Sequence, residues 1–187
     1  MKGKEWRKVL NYSGKIGRQT EHLVKTLDQQ IAVYAAYHRD RRNRLTHFIG
    51  VPAIVFAVLI PMNWVPIGDG VTLAHVFLGA VLAYYFLLDV PLAAATAAVT
   101  CVLFYAARLV AGTGFVSGWI WFGAFFVVGW IFQLVGHAFE GRKPALADNL
   151  FQIFIAPIFL MAELFFALGL KRDLRDKVEA RLTDSAK

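Results

Sequence analysis

The chain has a single cysteine, Cys101, in 187 residues, which excludes an intrachain disulfide and a paired-cysteine metal site. Charge is scarce as well: 18% of the residues are charged against 58% hydrophobic, and charges are absent from most of the chain after Arg44. That composition excludes an ordinary soluble globular domain. No glycine-rich phosphate cradle, nucleophile elbow, flavin or nicotinamide fingerprint or nucleic-acid module is present. Residues 1–46 are polar and basic with no apolar core of signal-peptide type, so Met1 is expected to begin the mature chain. A glycosylation sequon at Asn11 to Ser13 lies in this basic segment and reads as chance.

What the sequence does have is long apolar runs: Phe48 to Met62, Val71 to Leu88, Pro91 to Val110, Gly118 to Gly136 and Leu150 to Leu170. A helix needs about 20 apolar residues to cross a hydrocarbon core of about 30 Å, and these runs come close. The expected fold is therefore all-α: a polytopic integral membrane bundle of four to five transmembrane helices, preceded by an N-terminal amphipathic helix. Three segments follow from the charge pattern. They are a basic segment over 1–27, one membrane-embedded domain over 28–170, and a charged tail over 171–187.

Residues 1–45 hold eleven lysines and arginines against four acidic residues, whereas the linker from Asn63 to Gly70 has no basic residue. The positive-inside rule then puts the N-terminal segment in the cytoplasm and that linker outside. Threading the runs in order brings His38, His47 and His137 to one face and His75 to the other. The fifth run conflicts with this pattern, because a full crossing would export a tail carrying six basic residues. Pro157 and Glu163 interrupt it, which favours a bent or re-entrant helix over a straight span with an external tail.

Residues Asp28 to Arg44 read as a surface helix with Ile31, Tyr34 and Tyr37 or His38 on one stripe. Along one straight helix, nine positions would hold His38 and His47 about 13 Å apart and on opposite sides. A shared ion requires a bend, expected around Arg41 to Arg44. Neutral imidazole suits iron, zinc and copper, and a set of two or three histidines leaves positions open for dioxygen or substrate. Glu140, Asp148 and Glu163 are candidates to complete that set or to orient a ligand, and spacing does not choose among them. Asn43, four residues before His47, shares that residue's face if the first span begins near it. The arginines from Arg39 to Arg44 read first as a membrane anchor, and Arg44 or Arg142 as a contact for a substrate carboxylate. A lone interfacial histidine more often caps a helix or meets headgroups; three on one face shift the balance towards metal.

The residues Tyr34, Tyr37, His38, Asn43, His47 and Pro52 carry a resemblance together with a second group, Trp130, Gln133, Gly136, His137, Phe139, Glu140, Pro144, Ala145, Leu146, Asp148, Asn149, Gln152, Ala156, Pro157 and Glu163. Together they resemble the 2-hydroxy fatty acid dioxygenase family, small membrane proteins of the fungal endoplasmic reticulum and of bacteria. The likeness covers about residues 30–169, and the spacing from His137 to Glu140 is one residue tighter than in the fungal form. It implies an Fe(II)-dependent enzyme that uses dioxygen in α-oxidation, shortening a 2-hydroxy fatty acid by one carbon to an odd-chain acid. It also implies that His38, His47 and His137 ligate the iron.

The partners implied are a 2-hydroxy fatty acid, dioxygen and the lipid bilayer, with no nucleic acid; a homo-oligomer is compatible. The location is a bacterial inner membrane or an endoplasmic reticulum, with the metal site at the cytoplasmic face. A non-catalytic lipid-binding scaffold or small transporter subunit is the alternative. A haem carrier is disfavoured because His38 and His47 precede or begin the same span. A desaturase of the clustered-histidine type needs more than five histidines.

Overall fold

The computed structural model describes residues 25–141 and 151–184. Helix α1 (Leu27–Ala36) is followed by α2 (Arg41–Met62) and a short hairpin of β1 (Pro66–Gly68) and β2 (Val71–Thr72). Then come α3 (Leu73–Leu88), α4 (Val90–Gly112), α5 (Phe115–Glu140), α6 (Gln152–Ala167) and α7 (Arg172–Asp184). The described chain is an all-α bundle, as the apolar runs imply. Three helices, α2, α4 and α5, are long and apolar enough to cross a membrane, and a fourth span is counted if α6 and α7 are taken as one bent segment. Helix α3 is apolar but, at 16 residues, rises only about 24 Å.

Helix α5 shows which solvent the bundle is built for. Its buried residues are Gly118, Gly129, Gln133, Gly136 and His137, while Ile120, Val127, Ile131 and Leu134 are exposed. Polar and small residues inside with branched aliphatics outside is the pattern of a helix packed by close backbone approach in hydrocarbon. The small residues let α5 lie tightly along α2, the most extensive helix contact. A Cβ on Gly50 would stand 2.7 Å from Gln133 Nε2 and 2.9 Å from the Gly129 carbonyl oxygen. One on Gly136 would collide with Thr46 Oγ1 and Asn43 Oδ1.

The first helix stops at Ala36, and Asp40 starts the next by accepting from the Arg42 N–H at 2.8 Å. An N-cap of this kind satisfies a donor that the helix itself leaves unpaired. The single helix expected over Asp28 to Arg44 is thus two, and the required bend falls at 37–40, just before the expected place. The arginines from Arg41 onward belong to α2. Helix α1 turns Gln30, Ile31 and Tyr34 into the core instead of resting wholly on a membrane surface.

Helix α6 is anchored at both ends. Near its start the Tyr85 hydroxyl donates to the Phe154 carbonyl and Phe77 touches the Phe154 ring. At its finish Glu163 pairs with Arg44, and just beyond it Lys171 pairs with Asp89 at 2.5 Å. Asp89 ends α3 and caps α4, so α6 runs from the bundle's interior towards the end where α2 begins. The chain then turns through 111° into α7, with Gly169 and Lys171 at positive φ. Helix α7 folds back on α1, burying Val178 and pairing Arg181 with Asp28. The bend thus keeps the last described helix at the same end as α1, and the tail expected over 171–187 packs on the bundle through 184.

Two apolar clusters fill the interior. One surrounds Ile31, Tyr34, Tyr85, Ile155, Phe159 and Leu160 at the end where α2 begins; the other gathers Phe56, Leu59, Ile60, Ala74 and Ala107 at the opposite end.

Candidate metal centre

The break at 37–40 sets the chemistry. It drops His38 back over the first turns of α2, so that His38 Nε2 lies 3.0 Å from His47 Nε2. Helix α5 brings His137 to the same point, its ring centroid 5.0 Å from that of His38 and 5.2 Å from that of His47. All three are buried, and one nitrogen from each lies within 4.8 Å of the others. Among the described residues this is the one group of three histidine, cysteine or carboxylate side chains placed to hold a metal ion.

Two rings are locked in one tautomer. His38 Nδ1 is 2.7 Å from the Tyr34 carbonyl oxygen and His47 Nδ1 is 2.8 Å from that of Asn43. A carbonyl only accepts, so each Nδ1 carries the proton and each neutral ring directs an Nε2 lone pair at the other. Lone pairs facing at 3.0 Å repel one another, and a cation bound by both relieves that repulsion. Burial, reinforced by the neighbouring His47, pushes His38 down to about 3, which disfavours a proton there. A metal ion fits: two bonds of about 2.1 Å at about a right angle separate their nitrogens by about 3.0 Å. Nδ1 of His137 is buried without a hydrogen-bond partner, a nitrogen the same ion could satisfy.

The surroundings hold this geometry from two sides. Tyr34 stacks on His38, ring centroids 4.1 Å apart and planes within 6°, and Phe159 packs beneath both. Glu140, the last residue of α5, accepts from the backbone N–H groups of Arg39 at 3.0 Å and Asp40 at 2.8 Å, and from Asn43 Nδ2 at 3.1 Å. The carboxylate ties the end of α5 to the bend that carries His38. Asn43 also donates to the Tyr37 carbonyl at 3.2 Å, closing the loop from inside.

The sequence candidates therefore divide. His38, His47 and His137 meet; Asn43 and Glu140 buttress them. Glu163 stands apart from the three rings, with Oε2 3.4 Å from Arg44 Nε. Arg44 accordingly faces a carboxylate of the chain itself. Asp148 and Arg142 lie outside the described residues. His75 sits at the far end of the bundle, where Nδ1 accepts from the Thr72 N–H at 3.1 Å and Arg108 stands 3.4 Å from Nε2.

A cavity of about 320 Å³ opens beside the histidines, between α2, α5 and α6. Val51, Ile54, Val55 and Val58 line it from α2, and Phe126 and Trp130 from α5. From His47 to Val58 the α2 wall extends about 17 Å along the helix. The imidazoles form one end, and Gln133 and Gln152 add two amides to the lining. No role for these two amides was assigned from sequence; their signal was an uncharged polar residue inside an apolar run.

Comparison with known proteins agrees with this arrangement. The family described as Mpo1-like 2-hydroxy-palmitic acid dioxygenase matches residues 24–168. The 2-hydroxy-palmitic acid dioxygenase MPO1 of Saccharomyces cerevisiae is 35% identical over 158 residues, covering 82% of this chain and 87% of that protein. No solved structure matches the chain.

Proposed function

We infer the function from one premise: the chain belongs to the Mpo1-like 2-hydroxy-palmitic acid dioxygenase family. It is a metal-dependent oxidoreductase, embedded in a lipid bilayer, that uses dioxygen to shorten a 2-hydroxy fatty acid by one carbon in α-oxidation. The observation that carries this reading is the pair of tautomer-locked nitrogens, His38 Nε2 and His47 Nε2, 3.0 Å apart with His137 beside them. A scaffold or transporter subunit has no use for three buried imidazoles converging at the polar end of an apolar cavity.

The residues divide the work. His38, His47 and His137 hold Fe(II), which supplies a Lewis-acidic, redox-active centre at which dioxygen can react beside the substrate's α-carbon. The carbonyls of Tyr34 and Asn43 keep the Nε2 lone pairs turned inward, the orienting role that outer partners play at metal sites. Glu140 clamps the bend so that the His38 ring cannot swing out. The cavity walls from Val51 to Val58 and from Phe126 to Trp130 take the acyl tail and keep water from the reacting end. Arg44, paired with Glu163, and Arg142, outside the described residues, are further candidates to meet the substrate carboxylate, and Glu163 and Asp148, the latter also outside the described residues, are candidates for an additional or orienting ligand.

The metal end faces the cytoplasm in this reading. The basic surplus before Arg44 supports that orientation, and the return of α7 onto α1 supports a C-terminal segment on the same side. The host membrane is then a bacterial inner membrane or an endoplasmic reticulum, with 28–170 as the catalytic unit. The test is direct: purified protein supplied with Fe(II), dioxygen and 2-hydroxypalmitate yields the acid one carbon shorter, and His47→Ala does not. Absence of shortened acid from the iron-loaded wild type refutes the assignment.

A further inference from the structure

The polar lining of the cavity contains more than the three histidines. Gln133 on α5 and Gln152 at the start of α6 both line it, with only 8% and 4% of their surfaces exposed. Each carries a buried polar atom with no hydrogen-bond partner, Nε2 of Gln133 and Oε1 of Gln152. A buried amide atom left unpaired costs about 1–3 kcal/mol, so two of them on the walls of one cavity mark places where a ligand or water completes the bonding. The α2 backbone gives way to the first amide: Gly50 has no side chain where a Cβ would stand 2.7 Å from Gln133 Nε2.

The unpaired atoms are complementary in type. One is a donor and the other an acceptor. A carboxylate only accepts, so it would satisfy Gln133 and leave Gln152 unpaired. A hydroxyl both accepts and donates, and satisfies the two together. Neither amide carries charge, which also suits a neutral group at this depth better than an anion.

We propose that Gln133 and Gln152 are the residues that recognise the substrate's 2-hydroxyl group, Gln133 donating to its oxygen and Gln152 accepting its proton. They are specificity-determining residues, and they make the cavity select 2-hydroxy acids over plain fatty acids of equal length. This rests on the function proposed above. A site built to hydrogen-bond a hydroxyl rejects an analogue lacking it, because the site's own polar groups are then left unpaired.

The test compares binding of 2-hydroxypalmitate and palmitate to the full-length protein in lipid nanodiscs, with metal content measured alongside. Wild type is expected to favour the hydroxy acid by about tenfold or more. Gln133→Met and Gln152→Met keep side-chain length and remove the hydrogen bonds. Each is expected to bring the preference close to unity with palmitate binding and metal content unchanged. A preference that survives in both variants overturns the proposal, as does a loss that follows loss of metal, or a wild type that binds the two acids alike. If Gln133→Met fails to fold, Gln152→Met decides alone. Production of shortened acid by the wild type is scored separately. Its absence removes the proposed function, whereas its presence with hydroxyl preference intact in the variants removes only the role of the amides.

Discussion

The bundle presents histidine at both of its ends, and the ends use it differently. At one, His38, His47 and His137 are buried, and two of them spend Nδ1 on a carbonyl and turn Nε2 inward. At the other, His75 spends Nδ1 on the Thr72 N–H, closing the first turn of α3, and rests its ring against Phe104. Both lie where polar chain meets apolar helix. A ligand set therefore needs more than histidine at a boundary: the backbone must occupy one ring nitrogen and a fold-back must bring the other nitrogens to a common point.

The largest effect that separates the two ends is catalytic. His38→Ala, His47→Ala and His137→Ala should each remove turnover of 2-hydroxypalmitate to below about 1% of wild type, since even an outer partner of a metal ligand is worth 10–100-fold. His75→Ala should stay within about twofold by the same assay, because its loss costs only a helix start of about 1 kcal/mol. Comparable losses at both ends would erase the distinction. Next in size is the buttress: Glu140→Gln keeps the shape but weakens the charge-assisted bonds to Arg39, Asp40 and Asn43. Iron affinity should fall about 10–100-fold, measured by competition with a chelator, while the fold by circular dichroism persists.

A third substitution strikes the spacing between α2 and α5. Gly50→Ala should destabilise the protein by about 1–3 kcal/mol, read as a lower unfolding midpoint, because the added Cβ meets the Gly129 carbonyl and the Gln133 amide. The smallest effect is one of pH. Since burial holds His38 near 3, below the ordinary 6.5, protonation favours the unfolded chain. Stability of the metal-free protein should be fully present above about pH 6.5 and decline as pH falls towards 3. His38→Gln should flatten part of that decline; an unchanged profile would show that His38 titrates normally.

Much of this division could be read from the sequence. Apolar runs and the basic surplus before Arg44 were enough to bring three histidines to one face and send His75 to the other, because helix length and charge asymmetry are one-dimensional signals. The need for a bend between His38 and His47 followed from helical geometry. Its position did not, since Asp40 reads as one more charge in an arginine-rich stretch until its carboxylate is seen capping α2. Spacing did not choose between Glu140 and Glu163, because the choice depends on which way α6 enters the bundle, and the one-residue tightening from His137 to Glu140 tipped the expectation towards Glu163. Glu163, the deeper carboxylate by hydropathy, answers Arg44; Glu140, at the interface, clamps the bend. Gln133 and Gln152 each read as an uncharged polar residue in an apolar run, but that their unpaired atoms line one cavity is a relation across helices that no local pattern records.

In this reading His38, His47 and His137 hold the iron and His75 does not. Metal analysis of the detergent-purified protein tests it most directly. The wild type and His75→Ala should each carry about one iron per chain, and the combined His38→Ala, His47→Ala, His137→Ala variant, still folded as a helical bundle, should carry none. Equal iron in that triple variant and the wild type would contradict it.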